Sequence, residues 1–465
     1  MIYLNSMKKE KWLVLGILLS VLIGLGFLKF RGISQRTKEG AMSGEGGASS
    51  WLVSKKHTLA AKSDVALRDN KLRQLEQKLA RLWEKQLKKY PNLRIEIISL
   101  DESEDALWGI YQLGEELEVD EILQIKKSLD DFDASDFDLT KAEAFLAEQE
   151  SLLNSLKEVL SRPGSSLERI PNGLVSASPV LVFQDLLFLE TKVALKNGKE
   201  EEALNALRWN QKLAAVFDKA ENATFLVQAV GILLDVSYQR TVVENILPQS
   251  SPELLEQLTP FLERRDYSPS ALAQVYRSEL DAIMRNLPSL NLLDSSSNNG
   301  GVTPILDGVV RDEALFEAVE AIAQTWSEQI ERMEELSIFS RLEGETLHVA
   351  TPDFEHEEAK FIYESVSAPS EAWVGAFSRA TAFSGQTLAA FEIIEREMAG
   401  EVFVGKITTK TVNPVTSEPF FFDGDSREVS LDQIYQKEQL PLPSLSLSAE
   451  SWNNTSFDNE SWEGP

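Results

Sequence analysis

His356-Glu357-Glu358-Ala359-Lys360 opens like the helical zinc motif His-Glu-x-x-His, in which two imidazoles one turn apart hold the metal and the glutamate serves as base. Lys360 stands where the second imidazole must be, and an ammonium has no lone pair to donate. His57, His348 and His356 are the only histidines, too few to rebuild the ligand set elsewhere or to furnish a serine triad, and Gly-x-Ser-x-Gly is absent. Residues 400–407, GEVFVGKI, carry the glycine and lysine spacing of a phosphate-binding loop. Ile407 replaces the hydroxyl that would hold magnesium, and no helical pattern follows before Pro414, so this stretch reads as a strand flanked by glycines. Asp131, Asp133, Ser135 and Asp136 imitate the start of a calcium loop. Asp136 takes the place of the turn glycine, and Ala142 that of the bidentate glutamate. Residues 131–142 therefore read as a solvated acidic loop, with a weak, exposed cation site as the alternative. The chain has no cysteine, which removes thiolate nucleophiles, thiolate metal sites and disulfides together. No catalytic, cofactor-binding or metal-ligating residue is assigned, and no cofactor.

With chemistry this sparse, the elements that place the chain in the cell matter more. Residues 12–28, WLVLGILLSVLIGLGFL, contain no charge and one hydroxyl. As a helix they would span about 26 Å, close to the hydrocarbon thickness of a bilayer. Lys8, Lys9 and Lys11 precede them, and Lys29 and Arg31 follow. No small-x-small cleavage site follows the apolar run, no cysteine is present to be acylated, and the prepilin junction is missing. The expectation is an uncleaved single-pass signal anchor over residues 12–30, behind a short tail of residues 1–11. Basic residues lie on both sides of the anchor and do not fix its direction. The ordinary layout for a short lysine-bearing tail puts the N-terminus inside and the body outside the cytoplasm, which in a bacterium with two membranes is the periplasm.

Of the 46 basic and 74 acidic residues, residues 1–39 hold seven and two, so the remainder has 39 against 72. A body this acidic repels nucleic-acid phosphates and anionic headgroups, so nucleic-acid binding is not expected and the body should stand off the bilayer.

The pattern downstream is mainly α. Residues 31–60 include GAMSGEGGASS and read as a flexible tether. A first helical lobe is expected over 61–294, a Ser/Asn/Gly break at 295–301, a second helical lobe with a β-hairpin over 302–440, and a disordered acidic-aromatic tail over 441–465. Within the first lobe, Val65, Leu72, Leu75, Leu79 and Leu82 follow a seven-residue frame across residues 63–89. That stripe either faces the core or supports self-association as a short coiled coil. Residues 93–100, LRIEIISL, read as a strand, and 105–129 and 140–161 as helices, the latter opened by a Thr140-x-x-Glu143 capping box. Further helices are expected over 179–196, 200–219, 223–247, 252–264 and 269–287. In the second lobe, helices are expected over 312–339, 371–379 and 386–398, and strands over 344–350, 402–411 and around Phe420-Phe421-Phe422.

The turn Asn197-Gly198-Lys199, with Ala203 five residues after the glycine, resembles that of a tetratricopeptide repeat. Glu190 and Asn210 depart from the repeat's apolar and small positions, and no second copy follows at the 34-residue period. From about residue 139 to 430 the order of features is similar to a broad group of uncharacterised bacterial membrane-anchored helical proteins. The likeness rests on LETKVALKNGKEEEALNAL, on the helix TLAAFEIIE beginning at Thr387, and on the proline-bounded hairpin NPVTSEPFFFD beginning at Asn413. Asn413 and Ser417 depart from that group, which usually has aspartate and glycine there. The resemblance implies an anchor and a helical body and brings no activity with it.

The function expected is a membrane-anchored, extracytoplasmic helical scaffold or protein-interaction component, non-enzymatic, with other proteins as partners. Two alternatives stand beside it: an extracytoplasmic enzyme with a carboxylate-based site, and a pilin-like or secretion-apparatus subunit.

Overall fold

A computed structural model of the chain describes residues 73–132, 137–170, 175–247, 252–258, 269–287, 311–335, 349–366, 370–415, 417–430 and 445–447. The expected anchor, tether and break all lie outside these residues. Among the described residues no helix is long and apolar enough to cross a membrane.

The described chain is mainly helical, ending in a small antiparallel sheet. Helix α1 covers residues 73–89 and is followed by a 3₁₀ turn at Pro91–Leu93. Then come α2 (Ala106–Glu116), α3 (Val119–Phe132), α4 (Leu139–Glu148), α5 (Glu150–Leu160), α6 (Ala177–Lys196), α7 (Glu200–Asp218) and α8 (Phe225–Thr241). Helix α8 runs on into a single π turn at Val242–Ile246. The remaining helices are α9 (Pro252–Leu258), α10 (Pro269–Asn286), α11 (Asp312–Glu335), α12 (Glu357–Val366) and α13 (Ser370–Met398). The sheet is β1 (Lys406–Val412), β2 (Pro419–Asp423), β3 (Glu428–Ser430) and β4 (Leu445–Ser446), in that spatial order. Strand β4 falls inside the stretch after residue 440 where disorder is expected, and its Leu445 is fully buried.

Helix α6 is apolar around most of its circumference, and it packs against α3, α4, α5, α7 and α8. The reversal between α6 and α7 is closed by backbone: the N–H groups of Gly198 and Lys199 return to the carbonyls of Leu195 and Ala194. Gly198 sits at φ +68°, a conformation that penalises any side chain. Glu190, out of place for a tetratricopeptide repeat, pairs with Lys157 at 2.6 Å. Asn210 belongs to a buried amide ladder, in which the Gln184 side chain donates to Asn210 Oδ1 (3.2 Å) and to the Leu234 carbonyl (2.8 Å). That ladder ties α6, α7 and α8 together.

Buried apolar side chains form two clusters, and α6–α8 contribute to both. Phe183, Leu187, Phe217 and Val227 belong to the smaller, with α2–α5. Phe188, Leu207, Phe225 and Val236 belong to the larger, which takes residues from both sides of the expected break at 295–301. Leu79 and Trp83 of α1 sit in the larger cluster, with Leu75 and Leu82 packed on it, so the described part of the heptad stripe faces the chain's own core.

Several expected elements are corrected. Residues 94–100 form no ladder: the carbonyls of Ile98 and Leu100 accept from Ser166 Oγ (3.0 Å) and Arg169 Nε (2.9 Å) instead of from a neighbouring strand. The helix expected over 105–129 divides into α2 and α3, and that over 140–161 divides at Gln149. The cap of α4 is Asp138, whose carboxylate accepts the Lys141 N–H at 3.1 Å, so the Thr140 capping box does not form. The two helices expected at 371–379 and 386–398 are one continuous α13. Gly385 lies within this helix, and a Cβ there would lie 2.5 Å from Pro414 Cδ, so the close seat of α13 on the β-hairpin requires the glycine. The strand expected over 344–350 falls largely outside the described residues, and residues 349–350 have no regular structure.

Candidate functional site

Each motif that resembled a site has a definite place. His356 precedes the first turn of α12, where its Nδ1 lies 2.7 Å from Glu317 Oε2. Glu317 also accepts the backbone N–H groups of Glu355 (2.5 Å) and His356 (3.2 Å). Burial works against its charge, but these donors outweigh it and hold the carboxyl below the usual range. The pair anchors the entry to α12 on α11. In the loop resembling a phosphate cradle, Gly400 and Gly405 take positive φ, but Ile407 lies in β1, a strand where the cradle would need a helix. The Gly405 carbonyl is taken by the Gly424 N–H (3.0 Å), so that loop belongs to the sheet. Residues 133–136 of the acidic loop lie outside the described residues, and Ala142 is buried in α4. Among the described residues no group of three His, Cys, Asp or Glu side chains is placed to hold a metal ion.

One concave surface of the described body is announced by no motif. It is a groove of about 470 Å³ between α1, α10 and the irregular segment after the 3₁₀ turn. Leu79 and Trp83, one turn apart on α1, form its buried floor. Asp281, Met284 and Arg285 come from one face of α10 by their i, i+3, i+4 spacing. The third wall explains why residues 93–100 looked like a strand. Leu93, Ile95 and Ile97 alternate as in an extended chain, and all three line the groove. Ile97 is 46% exposed. The wall is held from behind: Arg277 Nε donates to the Asn92 carbonyl (2.7 Å), and the Asn92 side chain exchanges hydrogen bonds with Ser327 of α11. Arg94, Arg285, Glu76 and Glu84 add charged groups to the groove's lining. Burial pushes the Asp281 carboxyl up, against the pull of Arg285 at 2.6 Å. No family model matches the chain, and neither does any curated protein or solved structure.

Three carboxyls on the described body are raised by burial: Glu244, Glu279 and Asp281. They do not share a site. Glu244 lies in the π turn and accepts the Ser446 N–H of β4 at 3.4 Å. Glu279 caps the start of α8 by accepting the Phe225 N–H (2.9 Å) and is pushed up to about 6. Glu279 and Asp281 are two residues apart on α10, so they point to different sides of it, and only Asp281 lines the groove. A single carboxyl beside an arginine, on a largely apolar floor, is suited to gripping an apolar segment and its ends. Sequence reasoning missed Trp83, Ile97 and Asp281 as a set, because the walls lie nearly 200 residues apart. The one local signal was the Asp281–Arg285 spacing, which is common on exposed helices.

Proposed function

We propose that this protein is a membrane-tethered scaffold whose helical body works outside the cytoplasm and holds partner proteins. The observation that carries the reading is the groove on α1, the first described element after the expected anchor and tether. Its apolar floor, partly exposed isoleucine wall and charged rim suit an apolar helix face from a partner, recognised through a few anchoring side chains. The separation of the three raised carboxyls supports this reading over a two-carboxylate hydrolytic site, which needs both groups in one cleft.

The test combines protease shaving of spheroplasts with crosslinked pull-downs of the full-length chain. The expected result is a protease-accessible body and a reproducible partner whose recovery falls at least about tenfold in Ile97→Lys while surviving in Leu123→Lys. A protected body overturns the placement. Equal recovery from both variants overturns the groove as the docking surface.

A further inference from the structure

More than half of the exposed large apolar residues of the described body lie between Met398 and Val412. Of the seven large hydrophobic side chains that stand open to solvent, four are Met398, Val402, Val404 and Val412. Residues 402–412 alternate, and every even-numbered one is exposed: Val402, Val404, Lys406, Thr408, Lys410 and Val412. Thr409, pointing the other way, is buried. The exposed positions leading into and along β1 are thus three valines, two lysines and Thr408, on a chain of net charge −28. Val402 and Val404 are 86% and 79% exposed. Lys406 lies 4.2 Å from the centre of the Phe421 ring, and its cross-strand neighbour Asp423 turns its carboxylate to the Asp425 and Ser426 N–H groups. Glu401, paired with Arg396, feels the charge of Lys410, and Glu392 accepts the Lys410 backbone N–H.

The sheet also brings the C-terminal residues to this stripe. Lys406 pairs with Asp423, Asp423 with Glu428, and Glu428 with Ser446, so one row of the sheet runs from the valine–lysine stripe to the end of β4. The Leu447 N–H is held by the Arg427 carbonyl at 2.8 Å. Residues 448–465 therefore leave the sheet three strand spacings from Lys406, about 14 Å. Eighteen residues can reach about 60 Å when extended. They contain Glu450, Asp458, Glu460 and Glu463, no basic residue, and the aromatic side chains Trp452, Phe457 and Trp462.

We propose that residues 448–465 fold back over the outer face of β1, placing aromatic rings on Val402, Val404 and Val412 and carboxylates toward Lys406 and Lys410. The chemistry is complementary on both counts. Apolar area leaves water on each side, and the acidic-aromatic segment that follows β4 meets the two cations of this face. This surface is separate from the groove on α1, so either assignment can fail alone.

The absence of native cysteine makes the test direct. Full-length chain carrying Val404→Cys with either Trp452→Cys or Trp462→Cys is oxidised in detergent at several protein concentrations. The expected result is an intramolecular disulfide at one or both tail positions, independent of concentration. Adding Lys406→Glu and Lys410→Glu should reduce its yield about fivefold at low salt. A yield no higher than that of Leu123→Cys with the same tail cysteines overturns the proposal, as does a disulfide found only between chains. Unchanged yield in the charge-reversed variant overturns the ionic part.

Discussion

The α6–α8 hairpins and the joint between α13 and the sheet are both well buried, yet they are held in different ways. In the hairpins the contact is apolar area: Phe183, Leu186, Leu187, Leu213, Phe217 and Leu234 are each fully buried, and each such side chain contributes about 1.5–3 kcal/mol. Among the polar contacts between the three helices are the Gln184–Asn210 amide ladder and the Gln228 side chain donating to the Asp218 carbonyl at 3.1 Å. At the α13 joint, the backbone approaches closely at Gly385, and directional bonds do much of the holding. Glu392 accepts the N–H groups of Lys410 and Thr411 and the Thr411 hydroxyl, all within 3.0 Å. Arg427 grips Glu397 with two bonds of 2.8 Å, and Gln386 donates to the Val429 carbonyl at 2.8 Å. Area is indifferent to pH and tolerant of small shifts; a carboxylate cradled by backbone donors is neither. The two regions should therefore respond to different perturbations.

The largest expected effect is in the hairpins. Phe183→Ala should cost about 3–5 kcal/mol, with the loss in denaturant midpoint the same at pH 5 and pH 8. A loss that varied strongly with pH would break the contrast.

Next is Glu392→Gln, which removes charge from a site with several donors and should cost about 2 kcal/mol near neutrality. Burial opposes ionisation of Glu392, but the Lys410 and Thr411 donors and Arg396 together hold its carboxyl below its ordinary value of 4.5. A carboxyl depressed by folding stabilises above its unfolded pKa, and that stabilisation is lost as pH falls through the folded value. The difference between wild type and Glu392→Gln should accordingly be full above about pH 5 and shrink on acidification, as read from unfolding curves at successive pH values.

The smallest effect has the opposite sign. Burial raises Glu279 from 4.5 to about 6, against the pull of the Phe225 N–H. Its protonated form is favoured by the fold, so this contribution is complete below pH 4.5 and lost as pH rises through about 6. Glu279→Gln keeps an acceptor for Phe225 and should gain up to about 1–2 kcal/mol at pH 7, less where solvent reaches the carboxyl, and nothing at pH 4. Equal stability of the two proteins at pH 7 would remove Glu279 from the account.

The hairpins were also the more legible region. The apolar run of α6, the Asn197-Gly198 turn and the amphipathic α7 predict two antiparallel helices from local pattern alone, and these form. The α13 joint was not legible. Ser384-Gly385 reads locally as a break, and only Pro414, 29 residues later, shows why a helical glycine is retained there. In the same way, Asp138 competes locally with the Thr140 box, and backbone geometry chose the aspartate. Leu93, Ile95 and Ile97 line the groove at the spacing of a strand, while the carbonyls of Ile98 and Leu100 accept from distant side chains, so the spacing was right and the element was not.

By itself the sequence determined the mainly helical class, most helix positions, the late antiparallel strands and the incompleteness of every catalytic motif, because these depend on residue types within a turn or two of one another. Only the tertiary structure decided where the apolar clusters divide, that α13 is one helix, and that α1, α10 and an irregular strap enclose a groove. Those outcomes depend on which surfaces meet, from 29 residues apart at Gly385 and Pro414 to nearly 200 at the groove, and no local spacing encodes that meeting.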